Sequence, residues 1–328
     1  MRPFAFFASK KFVFAFELIP MHRLSNWQLF AVCVITWGTT WYAITLQLGA
    51  TSPEVGVAVR FALAGTLVLG YCAARGLRLW FDARSFGRLF FQGAFMYGVS
   101  YLCVYHAEKY LVSGLVAVGY SASPLITGLG AQWLFGQRVD RRFVAGGVLG
   151  LVGVALIFWP EIRKAGDSAD VVLGAGFTVA SVLLSAVGSL AASRNQTRGL
   201  PFWPSLGWGM LSGAAVCAIA GLWQGTSFAL PTGPVWWGAL LYLALAGSVL
   251  TFACYLTLQN RIGPGPAGTI GVMTPLLALV VSTLLEGYRP DALTALGVAL
   301  AIGGNALMLR RRASVLPPAA PRGAPAKG

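Results

Sequence analysis

The chain has 328 residues, of which 57% are hydrophobic and only 10% charged, with a formal net charge of +14. A soluble domain carries about a quarter charged residues, so most of this chain's outer surface faces something other than water. Its basic residues stand in short clusters between apolar runs rather than along one amphipathic face. That pattern argues against a nucleic-acid binder and for charge bias in membrane loops.

Residues 1–26 read as a cytoplasmic N-terminal segment. Residues 1–20 mix aromatic and basic side chains, broken by Lys10, Lys11 and Glu17, and no small-residue cleavage site follows them. The expectation is an over-long start, with Met21 as the true first residue. A spanning helix needs about 20 mostly apolar residues. Runs of that kind occur at 27–49, 54–74, 89–106, 111–135, 143–159, 171–192, 202–223, 235–258, 266–285 and 291–309, which predicts ten transmembrane helices. Ser25 to Gln28 fits a capping box before the first, and Ser52-Pro53-Glu54 starts the second. Asp140 and Asp291 stand where N-terminal acids belong. The Pro- and Ala-rich residues 311–328 read as a disordered cytoplasmic tail.

Lys and Arg placement sets the orientation. With a cytoplasmic N-terminus and ten crossings, 19 of the 24 basic residues fall on the cytoplasmic side. The other side holds Lys109, Arg163, Lys164 and Arg289, and Arg60 lies within a span. The prediction is a multi-pass protein of the cytoplasmic (inner) membrane with both termini cytoplasmic.

The two halves repeat. At an offset of 151, Pro124-Leu125 meets Pro275-Leu276, and Leu134, Gly136, Arg138 and Asp140 meet Leu285, Gly287, Arg289 and Asp291. Matches continue from Gly146 to Leu156, giving 11 identities over 33 ungapped positions. Five spans separate the paired segments, and an odd number inverts one half relative to the other. Inverted repeats of this kind serve secondary transporters, where rocking one repeat exposes a midplane site alternately to the two sides.

Ala107-Glu108-Lys109-Tyr110-Leu111-Val112-Ser113-Gly114, continuing through Ala117-Val118 to Ser123-Pro124-Leu125, resembles the third-to-fourth helix signature of the EamA family, in the drug/metabolite transporter superfamily. Trp37-Gly38, Arg60-Phe61 and Glu286 before a Gly-rich last helix are similar to the same family, over roughly residues 27–310. The resemblance implies ten spans, both ends cytoplasmic, and export or exchange of small metabolites. The family often ends both duplicated helices in Glu; here Phe135 stands first and Glu286 second, so a mechanism needing both carboxylates does not follow.

Candidate site residues each carry two readings. Arg60 either lines a cavity and holds an anionic group, or bonds helix carbonyls and snorkels. Tyr97, Tyr101 and Tyr105 repeat at helical spacing, as a substrate passage or as a packing face. Trp37, Thr40 and Trp41 form a similar stripe, and the offset sets Thr251 against Ser100 and Tyr255 against Val104. Pro124 and Pro275 remove helix hydrogen bonds at equivalent places, for motion or as plain kinks, with Ser121, Ser123 and Thr274 near to satisfy freed groups. His106 and Glu108 beside Lys109, and Glu286 beside Arg289, are either gates or proton-coupling groups, or polar turns at the interface. The five cysteines lie singly in apolar runs, so neither a metal nor a disulfide is expected. Gly263 to Gly268 fits G-x-G-x-x-G, but two prolines remove the amides that would hold phosphate, and no cofactor is expected.

The expected fold class is an all-α integral membrane protein, with repeats 27–160 and 171–310 around a central cavity. The expected function is a secondary transporter, an exporter of small metabolites by alternating access, with proton coupling as one form of drive. Its partners are then a small-molecule substrate and the lipid bilayer, with no nucleic acid; a homodimer is compatible with this reading. A polytopic membrane enzyme and a non-transporting scaffold are the competing readings, the first weakened by the scarcity of titratable groups within the spans.

Overall fold

In the computed structural model, which describes residues 23–136, 139–165 and 169–309, nearly every apolar run becomes a helix. The expected start at Met21, Arg138 and the tail 311–328 lie outside the described residues. Helix α1 (Asn26–Thr45) starts on the capping box: Ser25 accepts from the Gln28 N–H while the Gln28 side chain accepts from the Ser25 N–H. Helix α2 (Pro53–Ala74) has Ser52 as its cap. Helix α3 runs as Ala83–Gly93, passes through a π-helical stretch at Ala94–Val99, and ends as Ser100–Ala107.

Helix α4 (Ser113–Phe135) contains a tighter 3-10 turn at Tyr120–Ala122. The cause is Pro124, which has no N–H to give the Tyr120 carbonyl; the Ser123 N–H takes that carbonyl instead. Then follow α5 (Arg141–Ala165), α6 (Ala169–Thr197) and α7 (Phe202–Trp223). Helix α8 (Pro234–Ile262) carries a second π-helical stretch at Leu245–Leu250, and α9 (Pro264–Leu285) and α10 (Ala292–Leu309) complete the described chain.

Among the described residues the fold is all-helical apart from an isolated bridge between Leu48 and Thr51. Seven helices, α2 and α4 to α9, are long and apolar enough to cross a membrane. Helix α10 is apolar but shorter, α3 opens with Arg84 and Arg88, and α1 carries several polar side chains.

Features recur at the offset seen in the sequence. The π-helical stretches begin at Ala94 and Leu245, 151 residues apart. Gly136 and Gly287, also 151 apart, end α4 and α9 with φ of +66° and +70°, the left-handed cap that glycine adopts without strain. Packing follows the same exchange: α2 lies along α7 and α5 along α10, while α1 packs on α8 and α9 as α6 packs on α3 and α4. Between α5 and α10, a Cβ on Gly146 would stand 2.4 Å from the Gly304 carbonyl, and one on Gly153 would stand 2.5 Å from the Gly297 carbonyl. Only glycine permits backbones to approach so closely.

Candidate functional site

A cavity of about 80 Å³ lies inside the bundle, enough for a few ordered waters. Helix α1 contributes Trp37, Thr40 and Trp41; α2 contributes Arg60; α3 contributes Met96, Tyr101 and Val104. From the second half come Ser185 and Ser189 of α6, Phe252 and Tyr255 of α8, and Gly271 and Thr274 of α9, with Tyr120 and Ser123 of α4 between. Four lining pairs stand 151 apart: Tyr101 with Phe252, Val104 with Tyr255, Tyr120 with Gly271, and Ser123 with Thr274. The cavity therefore sits where equivalent parts of the two halves meet. A Cβ on Gly271 would come within 2.7 Å of the Tyr120 carbonyl, so this meeting also depends on glycine.

Arg60 is the cation of the cavity wall and is only 1% exposed. Its Nε donates to Ser248 Oγ at 2.9 Å, and its guanidinium carbon lies 4.8 Å from the Tyr101 ring centre and 5.1 Å from that of Phe61. Two ring faces offset part of the cost of burying the charge. Nη1 has no hydrogen-bond partner. The site therefore has spare guanidinium donors suited to an anion.

The π-helical stretches place the supporting hydroxyls. Ser248 donates to the Leu243 carbonyl at 2.9 Å and Thr251 to the Ala246 carbonyl at 2.7 Å, each five residues back. Ser100 donates to the Met96 carbonyl at 3.0 Å. The matched pair Ser100 and Thr251 thus hold the two irregular segments, and neither lines the cavity. Of the tyrosine stripe only Tyr101 reaches it. Tyr97 is packed between the Phe61 and Phe252 rings, at 5.3 and 4.8 Å, and its hydroxyl has no partner. Tyr105 donates to Gln47 Oε1 at 3.0 Å, and Ser121 is buried in the 3-10 turn. Tyr255 bonds Ser189 at 2.9 Å, and the Trp37 indole donates to the Gly247 carbonyl at 3.2 Å.

Both prolines frame the cavity: the carbonyls four residues before them, which lose their usual amide donor, belong to Tyr120 and Gly271, two lining residues. The Thr127 hydroxyl donates to the Ser123 carbonyl at 2.7 Å, and Thr274 to the Ile270 carbonyl at 2.8 Å.

The candidate coupling groups gather at the end of the bundle where α3 meets α4 and α9 ends. His106 Nε2 lies 2.9 Å from Glu54 Oε1, and its ring stacks on Phe177 of α6 with centres 5.2 Å apart. Glu54, read from sequence as a helix-start acid, is therefore also a hydrogen-bond partner of His106. Glu286 accepts from Ser113 Oγ at 2.5 Å, from the Ser113 N–H at 3.4 Å and from Ser282 Oγ. Its carboxylate so caps the N-terminus of α4, where the helix dipole favours negative charge. Glu108 is buried in the turn after α3, and both its carboxylate oxygens lack partners. Burial pushes its carboxyl well above the usual carboxylate range; the charge of Glu286 adds to this and that of Arg60 opposes it.

Sequence reasoning passed over Tyr120, Ser185, Ser189, Ser248 and Phe252. A signal existed for one group: Ser181, Ser185 and Ser189 recur every four residues on one face of an otherwise apolar helix. Among the described residues no cluster of metal-ligating side chains occurs.

The profile of the EamA-like transporter family matches residues 26–159 and again 172–310. Protein PecM of Dickeya dadantii is 28% identical over 305 residues, covering 90% of this chain and 97% of that protein. An Escherichia coli K12 protein described as the uncharacterized inner membrane transporter YedA is 28% identical over 261 residues, covering 79% and 82%. Protein PagO of Salmonella typhimurium is 24% identical, covering 82% and 87%. One solved crystal structure superposes with a TM-score of 0.67 at 21% identity, over 86% of this chain and 95% of that one, a likeness of fold.

Proposed function

The chain belongs to the EamA-like transporter family and is a multi-pass membrane transporter, and on that premise we propose that it is a secondary transporter that exports small metabolites by alternating access. Ten spans in two inverted repeats of five carry this mechanism, with both termini in the cytoplasm. Support for the inversion comes from contacts that exchange under the offset. Gly146 meeting Gly304 becomes Gly297 meeting Gly153 when 151 is added or subtracted, and both contacts are present. A pseudo-two-fold axis crossing between antiparallel α5 and α10 has that property.

The observation that carries the reading is the cavity on this axis. It has one unpaired guanidinium donor, hydroxyls from Thr40, Ser123, Ser185, Ser189 and Thr274, and aromatic walls, and at about 80 Å³ it is too small for a large ligand. Such a site selects small molecules with an anionic group and an apolar body. Glu108, a buried carboxylate without partners that feels the charges of both Arg60 and Glu286, is the group suited to carry a coupling proton.

The test is flux of a labelled panel of small organic anions and neutral metabolites in proteoliposomes, with and without a pH gradient. Gradient-driven flux of an anion is expected. Arg60→Ala should raise its KM about tenfold or more, the worth of a hydrogen bond to a charged group. No flux across a broad panel would overturn the proposal.

A further inference from the structure

A second concavity, of about 700 Å³, lies on the flank of the bundle between α3, α4 and α6, apart from the central cavity. Its walls are lipid-like: Phe91 of α3, Trp133 of α4, and Leu183, Val187 and Leu190 of α6. Its rim is not. Arg84 and Arg88 from the start of α3 and Arg194 and Arg198 from the end of α6 converge there. Arg84, Arg194 and Arg198 are exposed and Arg88 is half-buried. None of the four has an acidic partner among the described residues. Asp82, the near carboxylate in the sequence, is engaged as the cap of α3, accepting from the Ser85 N–H at 3.2 Å. Mutual repulsion is evident, since the charges of Arg194 and Arg88 lower the pKa of Arg198.

A topological excess of arginine in cytoplasmic loops explains charge on that side of the membrane but not its convergence. Loop charge needs no shared groove, and two helices distant in sequence supply this one. Asn195 fixes the arrangement, donating to the Arg88 carbonyl at 3.3 Å and to Gln92 Oε1 at 2.9 Å and so stitching the end of α6 to the start of α3. Gly130 also shapes the groove: a Cβ there would stand 2.3 Å from Leu190 Cδ1, so its absence lets Leu190 lie flat against α4.

We propose that this groove is a binding site for one anionic phospholipid, with the phosphate-bearing headgroup held by the four arginines and an acyl chain lying along the apolar wall. The charge pattern selects the occupant: guanidinium forks match phosphate oxygens, and an apolar trough directly beneath suits a ligand whose charge and chain are joined. Basic pockets between helices on the cytoplasmic side are known to hold such headgroups. The leaflet, the inner one, rests on the proposed orientation; the binding itself does not.

The test uses the full chain purified in neutral detergent, titrated with phosphatidylglycerol, phosphatidylcholine or soluble glycerol phosphate. Bound lipid is read by native mass spectrometry, and stabilisation by the shift in melting temperature. Phosphatidylglycerol should bind at least tenfold more tightly than phosphatidylcholine, while glycerol phosphate gives no shift at matched concentration. At about fivefold per arginine, the variant R88Q/R194Q/R198Q should lose about a hundredfold in affinity. R141Q/R142Q, which removes two charges outside the groove, should stay within about twofold of wild type. If the triple variant is not monodisperse, R194Q/R198Q reads the same expectation as a loss of about 25-fold. Equal binding of the two lipids, an equal shift with glycerol phosphate, or unchanged affinity in the groove variants would each overturn the proposal.

Discussion

Gly153 and Gly150 lie on the same helix, three residues apart, and the same substitution should act on them with opposite sign. A Cβ at Gly153 would stand 2.5 Å from the Gly297 carbonyl oxygen and 2.9 Å from the Ala301 nitrogen. Both atoms are backbone of α10 and cannot rotate aside. To restore ordinary contact near roughly 3.5 Å, Gly153→Ala must part α5 from α10 by about 1 Å. A gap of that size forfeits up to about half of the dispersion well at each facing contact, and overpacking of this kind costs about 1–3 kcal/mol. Alanine in place of a helical glycine returns about 0.5–1 kcal/mol, which leaves a net loss centred near about 1 kcal/mol and at most about 2.5 kcal/mol. A Cβ at Gly150 meets nothing within 4 Å, so Gly150→Ala should keep only the favourable part and gain up to about 1 kcal/mol. Gly304, which pairs with Gly153 under the repeat, faces the Gly146 carbonyl at 2.4 Å, and Gly304→Ala should cost as much as Gly153→Ala. Unfolding midpoints in mixed detergent micelles measure all three. A Gly153→Ala protein as stable as wild type would refute the close-packed seam, and unequal losses at Gly153 and Gly304 would refute its symmetry.

Glu108→Gln should stabilise the protein at alkaline pH. Burial raises the Glu108 carboxyl pKa, so the folded state holds that proton more tightly than the unfolded chain does. Its contribution is fully present below the unfolded value near about 4.3 and is lost as pH rises through the folded value. The melting temperatures of the two proteins should therefore converge near pH 4 and separate above it, and flux by the variant should ignore a pH gradient. Glu54→Ala leaves the His106 ring without its partner and should cost about 2 kcal/mol. Adding His106→Ala should cost little more, which a double-mutant cycle on thermal unfolding reads directly. Glu286→Ala and Ser113→Ala each remove part of the cap on α4 and should each cost about 1 kcal/mol. Because they break one network, their sum should exceed the double variant's loss.

How much of this was legible in the sequence depends on how far each feature acts along the chain. Caps act within four residues, and the Ser25–Gln28 box and the Ser52 cap stand where the sequence places them. Helix interiors follow apolar length, although α1 stops at Thr45 with Leu46 as its cap, where the apolar run continued to 49, and the chain then turns through Gly49 at a φ of +87°. Partners across the bundle were not legible. The distance from Glu54 to His106 is 52 residues, that from Ser113 to Glu286 is 173, and that from Arg60 to Ser248 is 188. Nothing in helical periodicity says which helix a polar side chain faces. The π-helical stretches were invisible for a related reason: Ala94–Val99 and Leu245–Leu250 share no residue at matched positions, and what holds them is a hydroxyl bonding backward from Ser100, Ser248 or Thr251.

Fold and chemistry divide along the repeat itself. Where the two halves keep the same residue, the position is structural: Gly136 with Gly287 ends a helix, and Gly146 with Gly297 and Gly153 with Gly304 close the α5–α10 seam. Several positions where the halves differ line the cavity: Arg60 matches Leu211 in the repeat, Tyr101 matches Phe252 and Tyr120 matches Gly271. This division is the one expected under the alternating access proposed above. The seam surfaces would then be interchangeable, so that the two end states have similar energy and neither traps the protein. The cavity would be under no such constraint, because one ligand would occupy it in either state and be recognised by whichever half supplies the group. A guanidinium supplied by both halves would place two like charges across a small buried space, at a cost of several kcal/mol; with Leu211 at the position 151 residues on, the single Arg60 avoids that cost.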